Sequence, residues 1–551
     1  MTDGTDTTAS DLPGPVPAAA AAAQADGRRW WALIAMAASV LVVGLDLTVL
    51  NLALPTISGQ LHASTSDLQW FSSAYSLVLA AMILPAGLLG DRYGRKRVLL
   101  IALALFGVSS VLCSYATNTG ELIGARAVLG IGAAAIFPMS LSVIPVLFRP
   151  EERQRAIALM ASATFLSFPI GPLVGGYLLD HFWWGSVFLI NVPIVVLALA
   201  AVFFLLPESR SGRRPGIDGL GVVLSSLGLT GLTYGFIKAG QDGWGDATAL
   251  ATLGAGVAVL GLFIAWERRL RDGGQPLIQL SLFRSGGFTW GTLLTTLVTF
   301  AMFGMFFAMP LYYQEVQGVN AMGSGLRLLP MIGGMVVGMV SSTRLASPRT
   351  RGDGVRPPLA TAKGLVTIGF AIMAAGIAVG ALTKVSSGTG YASGWIAAAG
   401  LGLGLAMPQT MNAALGALSA ERSGSGSALI SALRQVGATI GVAVLGTVLT
   451  SGYHARLNLG GLPAAAASAV RGSVAGGVSV AQSVHSATLL DNVRVAFVHG
   501  MDIMLWACGG IALASAILAL IFLPRGASGG AGSPEPVAAG ETGVERAGLG
   551  L

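Results

Sequence analysis

The sequence predicts an all-α integral membrane protein of fourteen transmembrane helices, built as two six-helix halves with two extra helices between them. Three observations predict it. Of 551 residues, 54% are hydrophobic and 10% charged, where an average chain carries roughly 25% charged residues. Apolar runs of about 20 residues, the length that crosses a bilayer core of ~30 Å, recur along most of the chain. Part of the sequence also returns at a fixed offset. The same pattern excludes an ordinary soluble domain, a disordered chain, collagen and a coiled coil. The two cysteines, Cys113 and Cys508, lie inside apolar runs and imply no disulfide framework.

Taken in order, residues 1–27 carry Asp3, Asp6, Asp11, Asp26 and an alanine tract without the cationic start of a secretory signal, and are expected to be a disordered cytoplasmic tail. Residues 28–208 form the N-terminal half, with spans 1–6 starting near Trp30, Leu68, Val98, Leu122, Arg155 and Val187. Residues 209–272 hold two inserted spans starting near Gly219 and Ala247. Residues 273–525 form the C-terminal half, with spans starting near Gly287, Met322, Leu359, Tyr391, Gly426 and Met501 and a long extracellular loop at about 451–498. Residues 526–551, rich in Gly, Ala and Glu, are expected to form a second disordered cytoplasmic tail.

Charge sets the expected orientation. With both termini inside, inner segments hold 24 of the 32 Lys and Arg residues, outer loops hold five, and Arg126, Arg327 and Arg434 fall within or at the edge of spans. That is the positive-inside bias. The net charge of +7 is therefore a matter of topology and not a nucleic-acid footprint. At an offset of 270, Gly130, Gly132, Pro138, Glu151, Gly171 and Gly176 align with Gly400, Gly402, Pro408, Glu421, Gly441 and Gly446. The register relates spans 4–5 to spans 12–13. Duplicated halves around a midplane site are a transporter plan.

Four ordered motifs carry a resemblance. Gly87-Leu-Leu-Gly-Asp91-Arg92-Tyr-Gly94-Arg95-Lys96-Arg97, between spans 2 and 3, resembles the signature loop of the major facilitator superfamily. Leu45-Asp46-Leu-Thr48-Val-Leu-Asn51-Leu-Ala-Leu-Pro55 resembles the span 1 motif of its fourteen-span drug:proton antiporters, and Arg126 with Gly130 and Gly132 is similar to a third motif. Gly171-Pro172-Leu-Val-Gly175-Gly176 is similar to the antiporter motif of span 5, with Ser167 in place of the usual leading glycine. The counterpart of the signature loop in the second half, Arg344 to Gly364, lacks the Asp-Arg-x-Gly core. The resemblance implies a major facilitator fold and proton-coupled export of hydrophobic or amphipathic drugs or antibiotics by alternating access. It implies proton coupling for Arg126, a cytoplasmic latch for the loop around Asp91 and Arg95, and a hinge for the span 5 glycines. It also implies a monomer in the bacterial plasma membrane, among lipids, that needs no cofactor beyond the proton gradient. Alternatives are a permease for a lipid, siderophore, amino acid or endogenous secondary metabolite, and, further off, a membrane sensor.

Asp46 is singled out independently of family. Of 25 acids it alone lies well within a span; Glu121, Asp180, Glu267, Glu315 and Asp502 fall near span ends. A charge at the bilayer centre costs at least ~2.5–3.5 kcal/mol. Burial opposes its ionisation and a neighbouring cation favours it. Arg126, at similar depth in span 4, can pair with it, either as part of a proton cycle or as a static lock. Arg434 has no mid-span acid to neutralise it, which leaves backbone carbonyls, a wet cavity, an oxygen-rich substrate or snorkelling to the interface. Span 9 carries Phe303, Phe306 and Met309, polarizable side chains suited either to core packing or to a ligand surface. Phe71, Tyr75, Phe137, Gln409 and Asn412 complete the cavity candidates. The four lysines lack a P-loop context, no His-Glu-x-x-His occurs, and the Ser423-Gly-Ser425-Gly run opens a helix instead of a strand–helix elbow. No enzyme chemistry is expected.

Overall fold

The computed structural model describes residues 18–148, 150–206, 208, 218–270, 278, 280–346, 349–351, 354–356, 359–416 and 423–524. The first half comprises α1 (Ala18–Leu61), α2 (Thr65–Tyr93), α3 (Arg95–Ser114), α4 (Thr119–Leu147), α5 (Pro150–His181) and the broken pair α6 (Ser186–Leu189) and α7 (Asn191–Leu205). The inserted hairpin is α8 (Gly219–Asp242) and α9 (Ala247–Leu270). The second half comprises α10 (Gly286–Leu311), which ends in a π-helical turn at Tyr312–Val316, then α11 (Ala321–Ala346), α12 (Ala362–Gly380), α13 (Thr389–Leu415), α14 (Ser423–Arg456), α15 (Ala464–Gly472), α16 (Val474–Ser483) and α17 (Ala487–Phe522). A short antiparallel pair, Arg349–Arg351 with Gly354–Arg356, interrupts the link from α11 to α12.

Helices stand at every place where the sequence predicts a span. Among the described residues, twelve segments are long and apolar enough to cross a membrane, not fourteen. Helices α2 and α5, of 29 and 32 residues, fall outside that count. Each nevertheless carries an uncharged, largely apolar stretch of spanning length, at 73–90 and 156–173, and each includes side chains outside the described residues. Large apolar side chains such as Ile101, Leu197, Phe204, Leu262 and Ile521 are exposed around the bundle, as expected where the surrounding solvent is lipid.

Two expectations need correcting. Helix α1 begins at Ala18, so the alanine tract belongs to a helix, in keeping with the high helix propensity of alanine; residues 1–17 and 525–551 lie outside the described residues. The segment at 451–498 is no open loop. Helix α14 runs on to Arg456, α15 and α16 fold within it, and α17 starts at Ala487, capped by the Ser486 hydroxyl, which accepts from the Leu489 N–H at 3.2 Å.

The 270-residue repeat has a structural counterpart, glycine by glycine. A β-carbon at Gly130 of α4 would collide with α2 at the Tyr75 carbonyl, and one at Gly400 of α13 with α11 at the Met331 carbonyl. Gly132 meets α3 at Ala102 and Phe106; Gly402 meets α12 at Gly369 and Met373. Gly171 meets α1 at Thr48, and Gly441 meets α10 at Phe300. The last pair crosses between halves: Gly176 of α5 lies on Met322 of α11, and Gly446 of α14 lies on Gln69 of α2. Equivalent positions thus make equivalent helix contacts, with α5–α11 and α2–α14 as the seams between halves.

Polar bonds join the halves at the end opposite the chain termini. Gln314 Nε2 donates to the Leu52 carbonyl (2.9 Å), Asn320 Nδ2 to Asp180 Oδ2 (2.6 Å) and Thr65 Oγ1 to the Gly472 carbonyl (3.0 Å). The Ser58 hydroxyl donates to Ser473 Oγ (3.4 Å). Helices α15 and α16 therefore form a cap that belongs to the second half and rests on the α1–α2 tip of the first.

Candidate functional site

Asp46 and Arg126 meet in the middle of the first half. Arg126 Nη1 lies 2.5 Å from Asp46 Oδ2, and their side chains are 0% and 1% exposed. The guanidinium has further partners at Nε and on its faces, while Nη2 is buried without an acceptor among the described residues. Its Nε donates to the Phe71 carbonyl (3.1 Å), and its plane lies over the rings of Tyr75 (4.5 Å) and Phe188 (5.8 Å). Cation–π contact of this kind compensates a desolvated guanidinium better than aliphatic packing does. Asn191 Nδ2 reaches the other carboxylate oxygen (3.4 Å) and the Ser110 hydroxyl (3.3 Å). Helices α1, α2, α3, α4, α6 and α7 thus converge on one charged pair. Helix geometry brings this about, since α1 and α4 run in opposite directions and place the two residues at matching depth.

Phe71, by its carbonyl, and Tyr75, by its ring, form part of the wall around Arg126, and both are fully buried. Phe188 and Ser110, which complete that wall, have no signal in the sequence, because only the fold brings α3 and α6 to the pair.

The span 5 glycines form a double contact. Gly171 and Gly175 pack on α1 at Thr48, Val49 and Leu52, while Pro172 and Gly176 pack on α11 at Gly325 and Met322. Thr48 Oγ1 also donates to the Ser167 carbonyl (3.4 Å). Side chains larger than hydrogen at these positions would force the helices apart. Pro172 removes one backbone donor within α5. One short segment of α5 thus touches the helix that carries Asp46 and the helix of the opposite half.

At the end bearing the termini, the α2–α3 loop is tied down within its own half. Gly94 has φ +111°, a conformation that favours glycine, and a β-carbon there would strike the Glu208 carboxylate. Arg97 Nε lies 3.5 Å from Glu208 Oε2, and Lys96 Nζ donates to the Phe203 carbonyl (2.7 Å). Arg95 is half-buried and Gly87 sits on α2 without a close neighbour, while Arg92 is exposed over the ring of Tyr93 (5.6 Å). Gly90 presses on the Met139 side chain of α4. The Asp91 side chain lies outside the described residues. Glu208 is a loop partner the sequence did not reveal; its significance depends on the Gly94 backbone, which has no pattern of its own.

The remaining candidates separate. Phe303, Phe306 and Met309 are buried in α10. Gln409 is buried and donates to the Ser342 hydroxyl (3.1 Å) across α13 and α11. Phe137 is half-buried and Asn412 exposed. Arg434 is half-buried, with a buried Nε that no acceptor meets. Among the described residues no cluster of His, Cys, Asp and Glu could hold a metal ion.

Comparison with known proteins agrees with this arrangement. The chain is 33% identical over 506 residues to the tetracenomycin C resistance and export protein of Streptomyces glaucescens, covering 90% of this chain and 91% of that one. It is 33% identical over 479 residues to the multidrug efflux pump LfrA of Mycolicibacterium smegmatis, covering 86% and 92%. The puromycin resistance protein pur8 of Streptomyces alboniger is 33% identical over 453 residues, 80% of this chain and 86% of that one. Among solved structures, a bacterial homologue of the human lysosomal transporter Spinster, in an inward-facing and occupied conformation, superposes with a TM-score of 0.64 at 16% identity, covering 89% of this chain and 96% of that one. The family model of the Major Facilitator Superfamily matches residues 36–442. With its two halves, its repeated glycine contacts and its buried pair, the chain belongs to the Major Facilitator Superfamily, as a multi-pass membrane transporter and not an enzyme.

Proposed function

We propose that this transporter exports hydrophobic or amphipathic compounds, antibiotics and other drugs among them, across the cell membrane in exchange for protons, with both termini in the cytoplasm. The observation that carries the proposal is the fully buried Asp46–Arg126 pair, the one mid-span acid held by a cation that has further partners of its own. Resistance and export relatives at 33% identity support the cargo class and the direction.

The proton cycle follows from the contacts. Ionised, Asp46 is held to α4 by Arg126. Protonated, it loses the Coulombic attraction, and burial of the neutral acid costs far less than burial of the ion. Arg126 does not need to move when this happens, because the Phe71 carbonyl and the Tyr75 and Phe188 rings still hold it. Helix α1 is the element released. Two residues along it, Thr48 packs on Gly171 of α5, and α5 packs on α11 of the other half. Protonation on one side of the membrane is thereby linked to the seam at which the halves separate. Substrate leaving outward and proton entering inward share the cycle through conformation.

The test is dye transport into inside-out vesicles. An acidic interior should drive accumulation of a hydrophobic dye, a protonophore should abolish it, and Asp46→Asn should abolish gradient dependence with the protein still folded. Full gradient-dependent transport by Asp46→Asn would sink the coupling role. Accumulation only in right-side-out vesicles would make the protein an importer.

A further inference from the structure

The two halves differ in how they treat charge. In the first, Arg126 is neutralised by Asp46. In the second, Arg434 of α14 has no such partner among the described residues: the acids described there, Glu315, Asp491 and Asp502, lie toward the end where Gly452 of α14 meets Gly500 of α17, and its Nε is buried without an acceptor. An unpaired guanidinium within a membrane-spanning helix is costly, and residues of this kind line wet cavities or ligand paths. Snorkelling does not account for a buried, unbonded Nε, because a snorkelled guanidinium is solvated throughout.

A second orphan stands at the same level. Four threonines follow one another on α10. Thr295, Thr296 and Thr299 each donate to the carbonyl four residues back, at 2.8, 2.9 and 2.9 Å. Thr292 is 2% exposed, and its hydroxyl has no partner at all. The register of α10 on α14 brings it to the level of Arg434. Gly437 lies on Thr296, Gly441 on Phe300, and Leu445 on Gly304, a register that advances by one helical turn on both helices. One turn back toward the helix starts brings Thr292 level with Leu433, next to Arg434. Arg434 and Gly441, seven residues apart, share the face of α14 that lies on α10.

We infer that Arg434 and Thr292 form an anion-recognising part of the substrate site, which takes a carboxylate or phenolate oxygen of an otherwise apolar cargo. This inference rests on the exporter reading and narrows it to acidic, oxygen-bearing amphipaths as favoured substrates. The chemistry fits both orphans. A guanidinium offers donors in a planar fork that matches a carboxylate, and the Thr292 hydroxyl donates a further bond to the same oxygen. The first half then supplies the proton site and the second half the substrate counter-charge. An anion brought to Arg434 from the cytoplasm removes the cost of the bare cation, so the acidic compound gains over its neutral analogue.

The test compares pyrenebutyrate with its methyl ester, which share the apolar body and differ in the anionic oxygen. Binding to the full-length protein in nanodiscs is read by pyrene fluorescence, at low and at high sodium chloride. Wild type should bind the acid about tenfold more tightly than the ester, the scale of one charge-assisted hydrogen bond. Arg434→Gln should erase that preference, Arg434→Lys should keep part of it, and Thr292→Val should lower it about threefold, the share that the hydroxyl's own bond to the anionic oxygen supplies. Monodisperse elution and an unfolding midpoint by tryptophan fluorescence at the wild-type denaturant concentration show that the variants fold. Equal binding of acid and ester by wild type, or a preference that survives Arg434→Gln, overturns the inference and leaves the exporter reading intact. So does high chloride that displaces the acid from wild type but not from Arg434→Gln while acid and ester bind equally at low salt, which would mark an inorganic-anion site. Failure of wild type to bind either compound or to transport any dye overturns both.

Discussion

The Asp46–Arg126 pair shows why a buried charge pair contributes little as a unit and much through either member. Two ions taken out of water lose several kcal/mol of hydration each, and their attraction roughly restores it; removing one partner leaves the other bare, at a cost of about 3–5 kcal/mol. Arg126→Met leaves the Asp46 carboxylate with only Asn191, at 3.4 Å, as a hydrogen-bond partner. That variant should be destabilised by about this amount, whereas Arg126→Met with Asp46→Leu should recover most of it. Denaturant unfolding in detergent, followed by tryptophan fluorescence, checks the pair. Costs that simply add would mean that the two residues are uncoupled despite their 2.5 Å separation. This pair was legible in the sequence because charge is so scarce there that a lone mid-span acid stands out. Its supporting residues were not legible. Ser110, Phe188 and the Phe71 carbonyl are ordinary helix residues until the fold brings them within reach. Glu208 was hidden for another reason: its contact depends on a left-handed backbone at Gly94.

At the scale of elements, apolar length and glycine placement carried most of the fold. Runs of about twenty apolar residues located the helices, and the glycine register located their contacts. What escaped was structure without either mark. Residues 464–483 are small and mixed, with no run long enough to span, yet they fold into α15 and α16 and lie across the seam. If the halves part at that end to release cargo, the cap has to leave the α1–α2 tip. The Thr65–Gly472 bond of 3.0 Å offers a direct test. The native cysteines, Cys113 and Cys508, are buried and will not compete for reagent. A Thr65→Cys, Gly472→Cys protein should form a disulfide under mild oxidation, stop exporting, and recover when reduced, while still binding substrate from the cytoplasmic side. Export at full rate by the oxidised protein would show that the cap and tip move as one body.

For the whole molecule, the inserted hairpin poses the remaining mechanical question. Helix α8 lies over the α2–α14 seam and touches a helix of each half, so it cannot follow both when they rotate. Its attachments are unequal. Toward α14, the Thr447 hydroxyl donates to the Phe236 carbonyl (2.6 Å), and Gly240 lies against Thr447 so closely that a β-carbon would clash. Toward α2, the aromatic contact is a tilted pair, Trp70 and Tyr234, with centroids 6.3 Å apart. A hydrogen bond with interlocked backbones resists sliding, whereas an offset pair of rings, worth about 0.5–1.5 kcal/mol, tolerates it. The hairpin should therefore travel with the second half and slip along α2, keeping the seam covered against lipid throughout the cycle. Cysteines at 233 and 440, which line one gap between α8 and α14, joined by a short bifunctional thiol reagent should leave export near the wild-type rate. The same reagent across cysteines at 70 and 234 should stop it, with binding retained. Were the first link to block transport and the second to permit it, the hairpin would belong mechanically to the first half, and α14 would be the helix that slides.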